Sequence, residues 1–360
     1  MSESTLVDWS LARRVAKALS DVGRPDGQRV AAEELSAAAY RSVGLVASYT
    51  GLEPKGELPE PEIVGREEWI DANLVTLRDA AAGIEEKLAD QVSESEPGRF
   101  GAATRSITRA ATGLEVGIAA AYLSQRILGQ YDLALIGPAR PPRLLFVGPN
   151  LAEAQAKLGA ERQPFLRWIA LHEATHAVQF SSVPWLRPHL GGMAEELLTG
   201  ATVRIGSELG PLIGRLLRSD FRELASTVRR GELVTLFLGP ERRAIFHRLQ
   251  AAMAVVEGYS EHVMDAVGAE LDPSFGELRD RMEQLRDRRT ALDSVIGRLL
   301  GLDAKLRQYR LGKAFADGVA ERQGIEGLNR VWESPELLPT LEELEHPDRW
   351  LRRAGVPSAA

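Results

Sequence analysis

The sequence predicts a mainly α protein with one small β-element beside a central helix. Three observations carry that expectation. Apolar residues recur at helical spacing over most of the 360 positions, with many alanines between them. Two short apolar runs, "YDLALIG" (131–137) and "RLLFVGPN" (143–150), stand apart as strand candidates, separated by Pro138, Pro141 and Pro142. The stretch that follows, "QPFLRWIALHEATHAVQF" from Gln163 to Phe180, reads as a core helix that carries two histidines and a glutamate.

The elements follow in chain order. Residues 8–20 and 28–50 have helical spacing, and "GLEPKGELPEPEIVG" (51–65) reads as a loop because Pro, Gly and Glu crowd it. Residues 66–92 form one amphipathic helix, and after the turn "SESEPG" an alanine-rich helix covers 100–129. Beyond the strand pair come "LAEAQAKLGA" and the His-bearing helix. Past "SSVPWLRPHLGG" (181–192) the chain returns to helices until about residue 330. The tail is rich in Pro and Glu and ends in a short helix. Residues 1–100 are expected to form an N-terminal helical portion, a lid or a separate layer. Residues 101–350 are expected to form the core that bears the site, the two making one composite domain.

Composition narrows the classes of function. The net charge is −7, and no basic stripe interleaved with aromatics is present, which argues against a nucleic-acid partner. The absence of cysteine excludes disulfides, thiolate catalysis and Cys-ligated metals. The run "LEVGIAAAYL" is too short to span a bilayer and contains Glu115, and the first residues lack a secretory pattern, so a cytoplasmic protein without a membrane partner is expected. The charge-dense run "LRDRMEQLRDRRTALD" (278–293) reads as a solvated helix face.

The chemistry lies in His172-Glu173-Ala174-Thr175-His176. Residues i and i+4 of a helix share a face, so both imidazoles can reach one metal ion. With a glutamate after the first histidine this is the HExxH pattern of zinc metallopeptidases. Neutral imidazoles hold Zn²⁺ and leave a position for water, whose pKa the metal lowers to about 7. Glu173 is placed to take the proton of that water as general base and to pass it to a leaving amine. Phe165, Trp168, Ile169, His172, Thr175, His176 and Gln179 fall along one side, so the histidines lie on the packed stripe, where polar groups need partners. A metal supplies one partner to both. The alternative is a pair of hydrogen-bonded core histidines.

A third protein ligand is required. The extended HExxHxxGxxH form fails, because Gln179 and Ser182 occupy the glycine and third-histidine positions. Candidates are His189, Glu195 or Glu196, Glu257 and His262. The stretch "LQAAMAVVEGYSEHVMDAVG" (249–268) has a core stripe of Leu249, Met253, Val256, Ser260, Val263 and Val267. Glu257 and Glu261 form a like-charge pair at i, i+4, and Gly258 costs about 1 kcal/mol in mid-helix, so local stability is given up twice. Glu257 is therefore the first candidate ligand. Gly258 would let this helix approach the HEATH helix, and Glu261 would accept the other ring N–H of a ligating histidine. The rival is Glu196, twenty positions after His176, a separation found in thermolysin-like enzymes whose third ligand is a glutamate. Tyr309 in "KLRQYRLG" and Tyr259 are candidates for stabilising a developing oxyanion.

"HEATHAVQF…VPWL" with the later "VEGYSEHVMD" resembles the type 2 zincin-like metallopeptidases. These are bacterial and archaeal proteins labelled as hydrolases or as associated with biosynthesis of the deazaflavin coenzyme. "LLGLDAKLRQYRLGKAF" (299–315) and "GLNRVWESPELLPTLEEL" (327–344) are similar to that family as well, so the resemblance covers most of residues 100–350. The string Glu257-Gly258-Tyr259 is similar to the Glu-Gly-aromatic string of gluzincin aminopeptidases, whose glutamate ligates zinc. Those enzymes place it closer to the second histidine than the 81 positions that separate Glu257 from His176. The resemblance implies a helical zincin-like core, Zn²⁺ as cofactor, and a peptide or small amide as substrate. Three functions remain open at this point: a zinc metallopeptidase, a small-molecule amidase, and a helical scaffold that keeps a structural or vestigial zinc site.

Overall fold

The computed structural model describes residues 6–20, 32–91, 99–198, 240–287 and 302–355. Two compact units divide them, one made of the residues up to Ser182 together with Met264–Leu285, the other of Val183–Val263 and the residues from 286 onward.

The first unit contains α1 (Trp9–Leu19), α2 (Ala32–Thr50), β1 (Pro61–Val64), α3 (Arg66–Gln91), α4 (Arg99–Ser124), β2 (Gly129–Asp132), β3 (Arg143–Val147), α5 (Gly148–Leu158) and α6 (Arg162–Ser182). Its three strands are ordered β1-β3-β2. β3 lies parallel to β1, with Ile63 opposite Phe146, and antiparallel to β2, with Tyr131 opposite Leu144. Leu145, Phe146 and Val147 are fully buried, as a central strand with both faces covered requires.

The segment 51–65, expected to be a loop throughout, holds β1. A strand of four residues that begins at a proline has little local signal, and its pairing with β3 supplies what the sequence does not show. β2 begins before the run 131–137 and covers only its first two residues, and β3 covers 143–147 and gives way to α5 at Gly148. The helix expected over 100–129 stops at Ser124, and Gly129 already belongs to β2.

One core cluster joins α1, α3, α4 and the sheet through Ala12, Ala16, Trp69, Ile70, Ala120, Leu145 and Val147. Below it a buried polar network ties elements together. Arg66 Nε donates to Asn150 Oδ1 at 2.7 Å, and Asn150 Nδ2 donates to the carbonyls of Ser124 and Ile127. α6 packs against α2, and it is buried nearly all round, with Phe165, Leu166, Ile169, Ala170, Leu171, Ala174, Ala177 and Val178 all closed to solvent. A helix enclosed on every side holds its side chains in fixed rotamers, which suits a site built on it.

The helix α7 (Pro240–Leu271) is continuous and belongs to the second unit up to Val263 and to the first from Met264. α8 (Phe275–Asp287) follows it, and α9 spans Leu302–Asn329 with a break at Gly324, whose φ of 68° lies in the left-handed region. In the second unit residues 186–198 are also helical. Its chain ends in α10 (Leu341–Glu345), opened by a capping box between Thr340 and Glu343, and α11 (Pro347–Arg353). Trp350 is fully buried, packs edge-on against Phe315, and donates its Nε1–H to the carbonyl of Leu337.

Candidate metal centre

α6 carries His172 and His176 one turn apart, both half-buried, with ring centroids 4.7 Å apart and planes at 88°. Trp168, one turn before, stacks parallel to the His172 ring. The two Nε2 atoms approach to 3.3 Å. Two nitrogens that each bind one tetrahedral zinc at ~2.0–2.1 Å must lie about 3.3–3.4 Å apart, so the spacing suits a shared ion.

The opposite ring nitrogens have other neighbours. His176 Nδ1 is 3.0 Å from Gln179 Oε1, and His172 Nδ1 is 3.3 Å from Met264 Sδ. An amide oxygen at Nδ1 selects the tautomer with its proton there, and so leaves the Nε2 lone pair for a metal. Gln179 lies on the packed stripe, where the sequence alone assigns it no role. Its separation of three from His176 is the signal that would have found it.

Met264 identifies the face of α7 that meets α6 in the first unit. One ligand atom from each of His172, His176 and Glu257 lies within 4.8 Å of the others, the only such group of three among the described residues. Glu257 is 9% exposed. Two imidazoles and a carboxylate form a donor set that suits zinc with one position left for water.

Glu196, the rival, is exposed and is not in the group. His189 lies elsewhere. It packs edge-on against Trp185, and burial, helped by Arg248, lowers its pKa. His262 Nδ1 faces Asp317 Oδ1 at 2.9 Å. Burial pushes the Asp317 carboxyl up, but His262 and Lys313 outweigh it and hold the group below its usual range. Glu261 is buried one turn beyond Glu257. Tyr259 is fully buried, and its hydroxyl donates to Asn329 Oδ1 at 2.7 Å, so it is a packing residue of the second unit. The Tyr309 side chain lies outside the described residues.

Gly258 has a different role from the one expected. A Cβ on it would run into the backbone of Gly312 and Lys313, so the glycine admits α9 within the second unit. The sequence marked the close approach but not which helix makes it.

Glu173 is 6% exposed and points to strand β2, where its Oε2 accepts a hydrogen bond from the Tyr131 N–H at 2.9 Å. The bond from Val147 N–H to the Leu128 carbonyl fixes the alternation of the antiparallel pair. By that alternation Gly129 and Tyr131 direct their backbone groups away from β3. The central strand β3 is paired on both sides and offers no edge. The edge beside the site is β2. At its far end Asp132, raised in pKa by burial against the pull of Arg143, closes the strand.

A family model described as zincin-like metallopeptidase matches residues 7–351. The chain belongs to this family. Membership and the three-ligand cluster together make it a zinc-dependent hydrolase of the metallopeptidase type, with a peptide or amide as the class of substrate. No curated protein matches the chain significantly. Among solved structures, the chain is similar to a protein from Chloroflexus aurantiacus described provisionally as a hydrolase with a novel fold. The two are 32% identical, and the alignment covers 98% of this chain and all of the other, with a TM-score of 0.71. No helix among the described residues is long and apolar enough to cross a membrane.

Proposed function

We propose that this family member cleaves peptide bonds, with zinc held by His172, His176 and Glu257 and with Glu173 as general base. The observation that carries the proposal is the 3.3 Å approach of the two Nε2 atoms beside a buried carboxylate that ligates nothing in the cluster. Bound zinc would supply a Lewis acid and a water of lowered pKa. Gln179 keeps the His176 ring turned toward the ion. Glu173 takes the proton of the attacking water and hands it to the leaving nitrogen as the C–N bond breaks.

Two variants and one assay test this. Glu173→Gln should keep about one zinc per chain and lose on the order of 10²–10⁴-fold in peptide hydrolysis, the usual contribution of a general base. Glu257→Ala should lose the zinc, whereas Glu196→Ala should keep it. A Glu173→Gln protein of full activity would sink the base assignment. A wild type without zinc after supplementation would sink the site.

A further inference from the structure

We propose that Gly129 is a positioning residue for Glu173, its missing side chain being what lets strand β2 press against the carboxylate so that the Tyr131 N–H holds it in one orientation. The inference rests on Glu173 as the base.

Glycine weakens a strand, so the one that opens β2 needs a cause. Backbone conformation is not the cause here, because Gly129 is not among the glycines with positive φ. Its register partner across the sheet is Phe146, but the nearest atoms to an added Cβ belong to Glu173. A Cβ at position 129 would stand 2.7 Å from both Cγ and Oε1 of Glu173 and 2.9 Å from Cδ. Side-chain carbons do not approach that closely, so something would have to move.

Strand β2 is fixed by its pairing with the buried β3, and the backbone of Glu173 lies on a helix buried nearly all round, so the Glu173 side chain is what would yield. Its displacement would disturb the 2.9 Å bond to the Tyr131 N–H. Gly129 and Tyr131 therefore act as a pair. One makes the room and the other sets the angle, from two consecutive outward positions of the same edge strand. A general base must meet its water within hydrogen-bond reach, and displacement of a reacting group by about 1 Å can cost 10²-fold in rate.

The test is a double-mutant cycle. Gly129→Ala should lower kcat about 10- to 100-fold, with KM and zinc content unchanged. Glu173→Asp is shorter by one methylene and makes room, so in that background Gly129→Ala should change kcat by less than about twofold. A purely structural role would give the same loss in both backgrounds, and that result overturns the proposal. A second cycle needs no turnover. Gly129→Ala should lower the melting temperature of wild type but not that of Glu173→Ala, and equal losses would overturn the proposal. A wild type that holds zinc and hydrolyses no peptide would refute the peptidase function instead, and the thermal cycle would still decide whether Gly129 seats the carboxylate.

Discussion

Gln179 shows how much of a metal site lies outside its ligands. Its amide oxygen, 3.0 Å from His176 Nδ1, fixes ring and tautomer at once. Gln179→Ala should weaken zinc binding about 10- to 100-fold, as loss of such partners does. Competition with a chelator of known affinity measures it. Gln179→Glu should retain the metal, because a carboxylate accepts the same bond, and equal weakening in both variants would refute the assignment. The HExxH residues were legible because two ligands one turn apart on one helix need no tertiary information. That Glu257 groups with the histidines was signalled by its like-charge neighbour Glu261, whereas the cost of Gly258 belongs to the approach of α9. Gln179 needed only the i, i+3 rule, yet the amide type carried no alarm. Gly129 was not legible, because its partner is 44 positions away and the approach of β2 to α6 is set by the sheet.

The crossing of α7 and α9 in the second unit turns on two glycines. A Cβ on Gly312 would overlap the Ala254 carbonyl group, and one on Gly258 would meet Gly312 itself. All the close atoms are backbone, so the helices would have to separate. Gly312→Ala should therefore destabilise the protein by about 1–3 kcal/mol or more, in the range of overpacked cores. Gly44 in α2 is the control, with nothing within 4 Å of its added Cβ, and Gly44→Ala should gain up to about 1 kcal/mol in a helix interior. Urea unfolding midpoints report both signs, and a neutral Gly312→Ala would refute the backbone contact. Helices were the most legible elements, because periodicity and alanine content are local. The strand β1 was not, since four residues at a proline gain their state from β3. The glycine of α7 was read correctly as a point of close approach and assigned to the wrong neighbour, for periodicity gives a face and not its partner.

For the molecule as a whole, the charges set how it meets acid. Ion pairing or hydrogen bonding lowers several carboxyl groups in both units. In the first, Arg143 holds Glu62 down, Arg13 and Lys17 lower Asp71, and Ser274 with Arg167 lowers Asp272 against the cost of burial. In the second, Arg353 and the Thr340 amide lower Glu343, and His262 with Lys313 lowers Asp317, each against burial. A carboxyl whose folded pKa is depressed binds fewer protons folded than unfolded. Its contribution is full above the unfolded value of about 4 and is lost as pH falls through the folded value. Asp132 has the opposite sign, since burial raises it and acid relieves the cost of its charge. Asp132 opposes these five, and His189, lowered by burial, adds a loss that begins as pH falls through its unfolded value of about 6.5, so stability should decline gently below that point and fall steeply below about pH 4. Circular dichroism melts from pH 7 to pH 2.5 would show it. Arg353→Met provides the internal check. Without its partner Glu343 loses most of what depresses it, so the variant should be less stable than wild type at pH 7 and the two should converge toward pH 3. Parallel curves across that range would mean that the Arg353–Glu343 pair contributes packing rather than charge.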